Sequence, residues 1–414
     1  MDKIIKVGVL GAWRGEAFAE NAKHAGMELV AVCDTWRERL NEVCGKHKVA
    51  AYTDYDEFLG HDMDAVALAN YFHEHAPFAI KALEAGKHVI SETSACKTLG
   101  EGVRLARAVE KSGKIYMLAE NYPYFAYNQE MRRLYLADEI GEVQYGEGEY
   151  NHPSDSYTLN WLSPGQNHWR NNIPATYYCS HALAPLMYIT GTRPVCVNSL
   201  CIEPSKRDEN RLHVRRTDPG SVIICRMDNG SVMRIMGIVM RGHSIWYRLH
   251  GTRGLMENLR TGDKNMLRIV HEEWDMRPGD VSEKIYKPEF PEYKEEAKAA
   301  GHAGGDFFTN YHFAKAIRSN EQPFFDVYKG IDMALAGILA YRSALEQGAP
   351  YEIPDFRNEA VREKYEDDEW SPLPDARGRR DGQPWPSVGG EIVPSEEAVA
   401  YARKVWGEMG YAGE

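Results

Sequence analysis

The 414-residue sequence lacks paired cysteines and any Cys/His pattern with metal-ligand spacing. Its seven cysteines are scattered without a CxxC pair, and Cys33, Cys196 and Cys225 fall within apolar segments. Cysteines in such segments are typical of small buried thiols rather than of disulfides or metal ligands. The sequence therefore predicts neither a disulfide framework nor a bound metal.

Positive charge is also in deficit, because 61 Asp and Glu residues outnumber 49 Lys and Arg residues and give a net charge of −12. Nucleic-acid binding needs a concentrated basic face, so we expect no nucleic-acid partner. No apolar run approaches the roughly 20 residues of a membrane helix, and the start, MDKIIKVGVLGAW, lacks the pattern of a signal peptide. We expect a cytoplasmic protein without membrane association.

The length of the chain favours two domains, because single cores rarely grow beyond about 250–300 residues. In the first part, short apolar runs alternate with amphipathic helices, which is typical of a parallel sheet covered on both faces. The predicted strands are Ile4–Gly11, Glu28–Asp34, Ala65–Asn70, His88–Glu92 and Lys114–Glu120. The fold class is therefore α/β, with a doubly wound, Rossmann-type domain over residues 1–121.

The second domain is predicted over residues 122–355. Alternating segments between 221 and 251, joined by tight turns such as Asp228–Gly230, indicate an open, mainly antiparallel sheet. An apolar helix is predicted over Tyr177–Ile189. Residues 356–414 are polar and rich in proline and glycine, which predicts an extended arm with a short helix and a solvent-exposed acidic run at Glu366–Glu369.

The turn after the first strand has the features of a nucleotide-binding loop. Gly11 and Gly15 allow the backbone to approach a pyrophosphate at a helix N-terminus, although Trp13 and Arg14 fill the loop and the strict G-x-G-x-x-G pattern fails. Asp34 ends the second strand about twenty residues later, where a carboxylate binds the adenosine ribose and repels a 2′-phosphate. Asp34 therefore favours NAD over NADP, whereas the nearby Arg37 favours NADP. In a purely structural interpretation, Asp34 caps the next helix.

Several segments resemble the Gfo/Idh/MocA oxidoreductases. They are ANYFHEHAPFAIKALEAGKHVISE (69–92), YMLAENYPY (116–124), EIGEVQYGEGEY (139–150), HGTRGLMENLR (250–260) and GHAGGDFF (301–308). The resemblance runs from about residue 4 to Phe356. It implies a Rossmann domain followed by an open sheet that carries the substrate pocket, in agreement with the residue pattern.

Two departures from that family point to one of its branches. Typical members have Glu-Lys-Pro, whose lysine relays the proton of the oxidised hydroxyl, whereas this chain has Glu92-Thr93-Ser94 with no basic residue beside Glu92. Typical members also have an Asp-x-x-x-His-x-x-Asp helix. Here His181 remains and Tyr178 lies three residues earlier, a spacing that puts both side chains on one helix face. This Tyr-x-x-His segment, its Leu-x-Pro end and ENYPY are similar to the NAD-dependent glycosidases of glycoside hydrolase family 109.

That resemblance implies cleavage through transient oxidation. NAD+ oxidises the sugar 3-hydroxyl, the ketone acidifies the C2–H bond, loss of that proton expels the leaving group, water adds, and NADH reduces the ketone. Such a route needs acids and bases that work near neutral pH, which suits histidine and tyrosine. The predicted catalytic residues are His181, Tyr178 and Tyr124.

The other predicted site residues follow from the same resemblance. The cofactor contacts are Gly11, Trp13, Arg14, Gly15, Asp34, Arg37, Asn70, His73, His75, Glu92, Asn121, Trp169 and Arg170. The substrate contacts are His168, Arg170 and His302. Glu92 is expected to hold the nicotinamide ribose, and Arg170 fits either a charged sugar substituent or the NAD pyrophosphate.

Other interpretations remain open, both for single residues and for the function of the whole protein. His181 and Tyr178 could be packing residues of an apolar helix, Tyr124 a packing residue, Glu92 a structural carboxylate, and His73 and His302 surface residues. The protein could also be an NAD-dependent sugar or polyol dehydrogenase with His181 as the sole base, or a non-catalytic sugar or nucleotide sensor. An open sheet face suggests a homodimer or homotetramer.

Overall fold

The computed structural model describes residues 4–205, 207, 208, 210–373, 379 and 381–411. These residues form two sheets, a six-stranded one in the first 120 residues and a nine-stranded one in the remainder. Within the described ranges, none of the helices combines the length and hydrophobicity needed to cross a bilayer.

The first sheet is parallel and has the strand order β3-β2-β1-β4-β5-β6. Its strands are β1 (Ile5–Leu10), β2 (Met27–Cys33), β3 (Ala50–Tyr52), β4 (Ala65–Leu68), β5 (His88–Ser91) and β6 (Tyr116–Leu118). Its helices are α1 (Gly15–Ala22), α2 (Arg37–His47), α3 (Tyr55–Leu59), α4 (His75–Glu84) and α5 (Leu99–Ser112). The order reverses between β1 and β4, so the loops after these two strands border the crevice where such sheets bind ligands.

The second sheet has the order β14-β13-β12-β11-β7-β10-β9-β8-β15. Its strands are β7 (Val143–Asn151), β8 (Pro194–Ile202), β9 (Gly220–Met227), β10 (Val232–Ile238), β11 (Ser244–Gly251), β12 (Leu255–Asn258), β13 (Leu267–Val270), β14 (Glu283–Tyr286) and β15 (Tyr351–Glu352). All neighbours pair antiparallel except β7 with β10. The sheet is therefore mixed and mainly antiparallel, as predicted.

The remaining helices connect or cover this sheet. They are α6 (Ala126–Leu136), α7 (Ser156–Trp161), α8 (Ser180–Thr190), α9 (Lys294–Ala299), α10 (Gly305–Ser319), α11 (Val327–Leu345), α12 (Glu359–Arg362) and α13 (Glu396–Glu408). The predicted helix over Tyr177–Ile189 is shorter at its start, because Ala175–Tyr178 is a 3-10 turn.

Helix α8 lies unusually close to strand β7. A Cβ atom added at Gly148 would lie 2.0 Å from the carbonyl oxygen of Ala182, so only glycine permits this approach. Tyr247 on β11 donates a hydrogen bond from its hydroxyl to the His181 carbonyl oxygen at 2.7 Å. These contacts fix the first turn of α8, and with it His181, against the sheet.

The acidic run near the C-terminus is partly exposed to solvent, as predicted, and it also makes long-range ion pairs. Asp367 and Glu369 are exposed. Glu369 pairs with Arg104 at 2.6 Å, and Glu366 pairs with Arg107 at 2.7 Å; both arginines lie on α5 of the first domain. The backbone N–H of Gly100 also donates to the Asp368 carbonyl oxygen at 3.0 Å. The sequence did not predict these ion pairs, because the partners lie about 260 residues away.

Candidate active site

The loop between β1 and α1 requires glycine at two positions. Gly11 has φ +98°, and a Cβ atom there would lie 2.5 Å from the Ala69 carbonyl oxygen. A Cβ atom at Gly15 would lie 2.4 Å from Cγ1 of Val9. The loop can therefore lie against the end of β4 while the N-terminus of α1 faces the crevice, where backbone N–H groups stabilise a diphosphate.

Asp34 is fixed at the end of β2 by the neighbouring backbone. Its Oδ2 accepts from the N–H of Ala12 at 2.6 Å, and its Oδ1 accepts from the N–H of Trp36 at 2.8 Å. Each oxygen retains a lone pair for a ribose hydroxyl. Arg37 is exposed in the first turn of α2 and has no ion pair among the described residues. This arrangement fits the two free ribose hydroxyls of NAD.

Buried polar atoms near the crevice lack protein partners, which is what a bound group would correct. They are Oδ1 of Asn70, Nδ1 of His73 and Oδ1 of Asn121. Burial and, to a smaller extent, the positive charge of Lys97 lower the pKa of His73 to about 4, so the ring is neutral near pH 7. Together with the glycine loop and Asp34, these atoms fit NAD.

His75 lies between the loops after β4 and β5. It is buried, with Nδ1 3.0 Å from the Ser94 carbonyl oxygen and Nε2 3.2 Å from the Asn70 carbonyl oxygen. A carbonyl oxygen only accepts, and burial lowers the pKa of His75, so the neutral ring donates its single N–H to one of these two oxygens. The predicted contact of His75 with the cofactor stays a prediction.

Glu92 has a cationic neighbour that its own sequence segment does not contain. Arg14, in the loop after β1, donates from Nε to Glu92 at 2.6 Å and from both terminal nitrogens to Asp306 at 2.8 and 3.2 Å. Arg14 therefore joins the ends of β1 and β5 to the start of α10 in the second domain. Its guanidinium uses three of its five N–H groups for these carboxylates, and the predicted contact of Arg14 with the cofactor stays a prediction.

Asp306 is the centre of this interdomain network. It also accepts from Nδ2 of Asn121 at 2.9 Å and contacts Nδ1 of His302 at 2.8 Å. Burial alone would raise the pKa of Asp306, but hydrogen bonds and positive charge from His302 and Arg14 hold it well below its usual range. His302 was predicted to contact substrate, and the structure places it on this carboxylate.

His181 is paired with a carboxylate that the sequence had not singled out. Its Nδ1 lies 2.5 Å from Oε1 of Glu120, which is fully buried. Because an ionised carboxylate only accepts, Nδ1 carries the proton and Nε2 is left as the basic nitrogen of the neutral ring. Among the described residues, Nε2 has no hydrogen-bond partner. Glu120 follows strand β6 as the first residue of ENYPY, and this position was the available signal.

Three tyrosine rings enclose His181. The Tyr122 ring stacks on it with 4.5 Å between the ring centroids. The Tyr150 and Tyr178 rings meet it edge-on, with centroid distances of 4.7 and 5.0 Å. Tyr178 therefore lies beside His181 as predicted, although it belongs to the 3-10 turn rather than to α8. Burial raises the pKa of both Tyr122 and Tyr150, so these two phenols are protonated at neutral pH.

Tyr124 lies away from this cluster. It is buried, stacks on His312 at 4.7 Å and meets Tyr188 at 5.4 Å. Its placement corrects the predicted catalytic role, because Tyr122 is the member of the ENYPY motif that touches His181. Alternate residues of this short turn face different sides of the second domain.

The segment His168–Arg170 links the two domains. Trp169 stacks on Phe72 of the first domain at 5.1 Å and lies 6.2 Å from the ring of Tyr178. The guanidinium carbon of Arg170 is 4.3 Å from the Trp169 ring and 5.7 Å from the Tyr178 ring. Burial and Arg170 together lower the pKa of His168 to about 3, so this imidazole is neutral. All three residues lie where the two domains meet, and their predicted contacts with the cofactor and the substrate stay predictions.

Trp13 belongs to an aromatic cluster on the other side of the loop. It stacks on Trp36 at 5.6 Å and meets Trp161 of α7 at 5.1 Å. Tyr411, beyond α13, meets Trp36 at 6.2 Å. The cluster therefore combines the Rossmann loops, the second domain and the C-terminal arm beside Asp34.

Comparison with protein families accounts for nearly the whole two-domain unit. The model described as "Oxidoreductase family, NAD-binding Rossmann fold" matches residues 5–120. The model described as "Glycosyl hydrolase 109, C-terminal domain" matches residues 121–363, more than half of the chain.

Similar proteins support both assignments. Glycosyl hydrolase family 109 protein 1 of Bacteroides thetaiotaomicron is 27% identical over 399 residues, covering 85% of this chain and 84% of that protein. Glycosyl hydrolase family 109 protein 1 of Shewanella sp. strain ANA-3 is 25% identical, covering 86% and 85%.

Solved structures show the same fold. Levoglucosan dehydrogenase in complex with NADH and L-sorbose superimposes with a TM-score of 0.71 at 18% identity, covering 85% of this chain and all of that one. An oxidoreductase domain protein from Kribbella flavida gives a TM-score of 0.69 at 20% identity, covering 86% and 100%.

The chain is thus an enzyme built on an NAD-binding Rossmann domain of the Gfo/Idh/MocA type, and it belongs to the glycosyl hydrolase 109 family.

Proposed function

We propose that this enzyme cleaves glycosides by an oxidation, elimination, water addition and reduction that leave its cofactor unchanged overall. The observation that carries the proposal is the Glu120–His181 pair, which presents a free Nε2 beside Tyr178 where the lysine of typical relatives is missing. A histidine held by a buried carboxylate is a suitable base for a sugar hydroxyl near neutral pH.

Two residues would move the protons. NAD+ bound in the cleft would accept a hydride from C3 of the sugar and return it to C3 at the end of the cycle. His181 would take the C3 hydroxyl proton on Nε2 and later give it back. Tyr178 would take the C2 proton, whose electron pair forms the C1–C2 double bond as the C1–O bond breaks. Water then adds at C1 and gives up a proton to the departing oxygen, and Tyr178 restores the proton at C2.

The surroundings of these two residues support this division. Glu120 holds His181 in the required tautomer and stabilises the imidazolium that forms. The guanidinium carbon of Arg170 lies 5.7 Å from the Tyr178 ring, so a positive charge faces the phenol to which we assign the C2 proton. Tyr122 and Tyr150 remain protonated and supply hydroxyl donors to the sugar.

The cofactor would lie between the two domains. We propose that Gly11, Gly15 and Trp13 border its diphosphate and adenosine, that Asp34 binds the adenosine ribose, and that Asn70, His73 and Asn121 supply the unpaired buried polar atoms along it. Trp169 would close the cleft over the nicotinamide. We propose that Glu92 binds the nicotinamide ribose and that Arg14 orients its carboxylate.

The proposal is tested with purified protein, added NAD+ and a panel of nitrophenyl α- and β-glycosides, following nitrophenol and NADH absorbance together. We expect nitrophenol release without net NADH, and loss of that release in His181→Asn. Steady NADH accumulation without nitrophenol would instead establish a sugar dehydrogenase. NAD binding without either signal, across the panel, would favour a sensor.

We further propose a homodimer or homotetramer joined through the outer face of the second sheet. On this face Arg234 pairs with Glu147 at 2.9 Å and Arg268 with Glu257 at 2.8 Å, so these charges are neutralised within one chain. Leu200 (59% exposed) and Ile224 (37% exposed) remain uncovered toward the β8 side of this sheet. The cytoplasmic location stays a prediction.

A further inference from the structure

Two arginines beside the candidate catalytic residues have no counter-charge. Arg170 uses its guanidinium only for contacts with the rings of Trp169 and Tyr178. Arg215, in the loop between β8 and β9, donates one side-chain hydrogen bond, to Oγ1 of Thr217 at 3.1 Å. Across the part of the chain that the structure describes, no carboxylate lies within ion-pair distance of either arginine.

Among the described residues, several other partly buried arginines are paired with carboxylates, whereas Arg132 donates to the carbonyl oxygen of Tyr188 instead. Arg14, Arg193 and Arg342, for example, each contact a carboxylate at 2.6–3.2 Å. A half-buried guanidinium without such a partner is costly, because it has lost hydration without gaining a compensating charge. Burial and the positive charge of Arg170 lower the pKa of Arg215 to about 10, because both disfavour its charged form.

Arg170 lies next to the reacting groups, and the loop that carries Arg215 lies against the segment of Arg170, because the N–H of Arg216 donates to the Asn171 carbonyl oxygen at 2.8 Å. Arg170 is 5.7 Å from the Tyr178 ring, and Tyr178 is 5.0 Å from His181. The charge of Arg170 also acts on the Tyr150 hydroxyl, whose ring contacts His181. A single small molecule can therefore place an anionic group on Arg170 and a sugar hydroxyl at His181.

The contacts of Arg215 separate it from the cofactor cradle. Thr217, Arg170 and His213, the residues its side chain or its charge acts on, all belong to the second domain. Burial and Arg215 lower the pKa of His213 to about 4, so this imidazole is neutral and can donate one hydrogen bond. The diphosphate of NAD already has the N-terminus of α1 in the first domain.

We propose that Arg170 and Arg215 form a subsite for an oxyanion substituent of the sugar, so that the substrates are acidic glycosides carrying a carboxylate, sulfate or phosphate. Arginine suits this role because its planar fork of N–H donors matches such groups and keeps its charge. This inference rests on the proposed function for its catalytic setting, but the subsite itself is defined by binding.

The test measures binding without requiring turnover. Calorimetric titrations of the NAD-loaded enzyme would compare matched sugars: a neutral hexose, its uronic acid, its 6-sulfate and its 6-phosphate. At least one acidic sugar should bind roughly 10- to 100-fold more tightly than the neutral one, as expected for hydrogen bonds to a charged group. Which acid binds best identifies the substituent. Equal affinity for all four sugars, or binding of none, would overturn the proposal.

Variants connect that preference to Arg215. Arg215→Met should remove most of the preference for the acidic sugar while leaving the affinity for NAD and for the neutral sugar unchanged. Arg211→Met, an exposed arginine of the same loop that contacts the Ser205 carbonyl oxygen, is the matched control and should retain the preference. If Arg215→Met weakens NAD binding instead, the anion is the cofactor diphosphate and the proposal is wrong. If acidic sugars bind through Arg215 but no glycoside is cleaved, the proposed function fails and the subsite stands.

Discussion

At the scale of single residues, the account depends on the Glu120–His181 pair. Glu120→Gln keeps the shape of the side chain but replaces an acceptor with a group that can donate to Nδ1, which favours the unproductive tautomer. We expect kcat for glycoside cleavage to fall about 10²- to 10⁴-fold, with unchanged NAD affinity. Glu120→Asp should recover part of the loss. Activity of Glu120→Gln within twofold of the parent enzyme would contradict the role given to Glu120.

Asp306 makes a prediction about stability and pH. Its folded pKa is depressed, so the folded state binds fewer protons than the unfolded state at acid pH, and the stability it contributes is present above about pH 4 and lost as pH falls further. Asp306→Asn leaves Arg14 with Glu92 alone and should cost about 2 kcal/mol of unfolding free energy at pH 7.

Urea unfolding of both proteins between pH 3 and 7 measures this difference. The gap between parent and Asp306→Asn should narrow toward pH 3. A gap independent of pH would show that the carboxylate charge of Asp306 contributes nothing and that the loss is one of packing alone. Thr309→Val, at a neighbouring buried position on α10, is a control whose effect should not vary with pH.

Sequence reasoning succeeded for residues whose role is local and failed for those defined by a distant partner. Gly11, Gly15 and Asp34 were predictable because a strand–turn–helix imposes its own geometry. The partners of Glu92 and His181 were not, because Arg14 and Glu120 lie 78 and 61 residues away. Tyr122 and Tyr124 occupy one short turn, and the pattern alone does not tell which of them faces the histidine.

At the scale of elements, the predicted C-terminal arm lies mostly outside both family models. These models end by residue 363, yet the chain continues along α5 and then places α13 against α7. Trp406 of α13 donates from its ring nitrogen to the Asn160 carbonyl oxygen at 3.0 Å. The arm thus brings Tyr411 to Trp36, next to Asp34, where we propose that the adenosine binds.

We expect Tyr411→Ala to release NAD faster. Loss of one aromatic contact is worth about 0.5–1.5 kcal/mol, which corresponds to roughly a two- to tenfold higher dissociation rate. Stopped-flow displacement of NAD, monitored by tryptophan fluorescence, measures that rate. Lys404→Ala, on the exposed side of α13, is the control. Identical NAD dissociation rates in the parent enzyme, Tyr411→Ala and Lys404→Ala would mean that the arm stabilises the fold but not the bound cofactor.

Elements were predicted where their apolar pattern is strong. Strands β1, β4, β5 and β6 lie within the predicted segments, and β2 begins one residue before its segment, since each is an apolar run buried in a parallel sheet. Strand β3 has only three residues, and β15 only two, so neither produces a pattern that stands out from loops. The ion pairs of the acidic run were not predicted, because an exposed face and a set of long-range ion pairs have the same composition.

At the scale of the whole molecule, the outer sheet face makes the oligomer testable. Replacing the exposed side chains of Leu200 and Ile224 by aspartate should disfavour association, because a buried unpaired charge is costly. We expect light scattering after size exclusion to show a multiple of 47 kDa for the parent and about 47 kDa for the double variant. A parent that already elutes as a monomer would contradict the proposed assembly.

The fold class, the two-domain plan and the family were all predictable because they depend on patterns repeated over hundreds of residues. The distribution of charge was not. The chain is acidic overall, yet among the described residues Arg170 and Arg215 have no carboxylate partner, and composition averages such a local excess of positive charge away.

The central claim is that glycosides are cleaved through C3 oxidation and C2 proton loss, and one measurement tests it directly. A nitrophenyl glycoside accepted by the enzyme is hydrolysed in deuterated water with NAD+, and the product sugar is examined by NMR. The account predicts deuterium at C2 and retained hydrogen at C3, because the C2 proton exchanges with solvent while the C3 hydride returns. Cleavage that leaves hydrogen at C2 would contradict it.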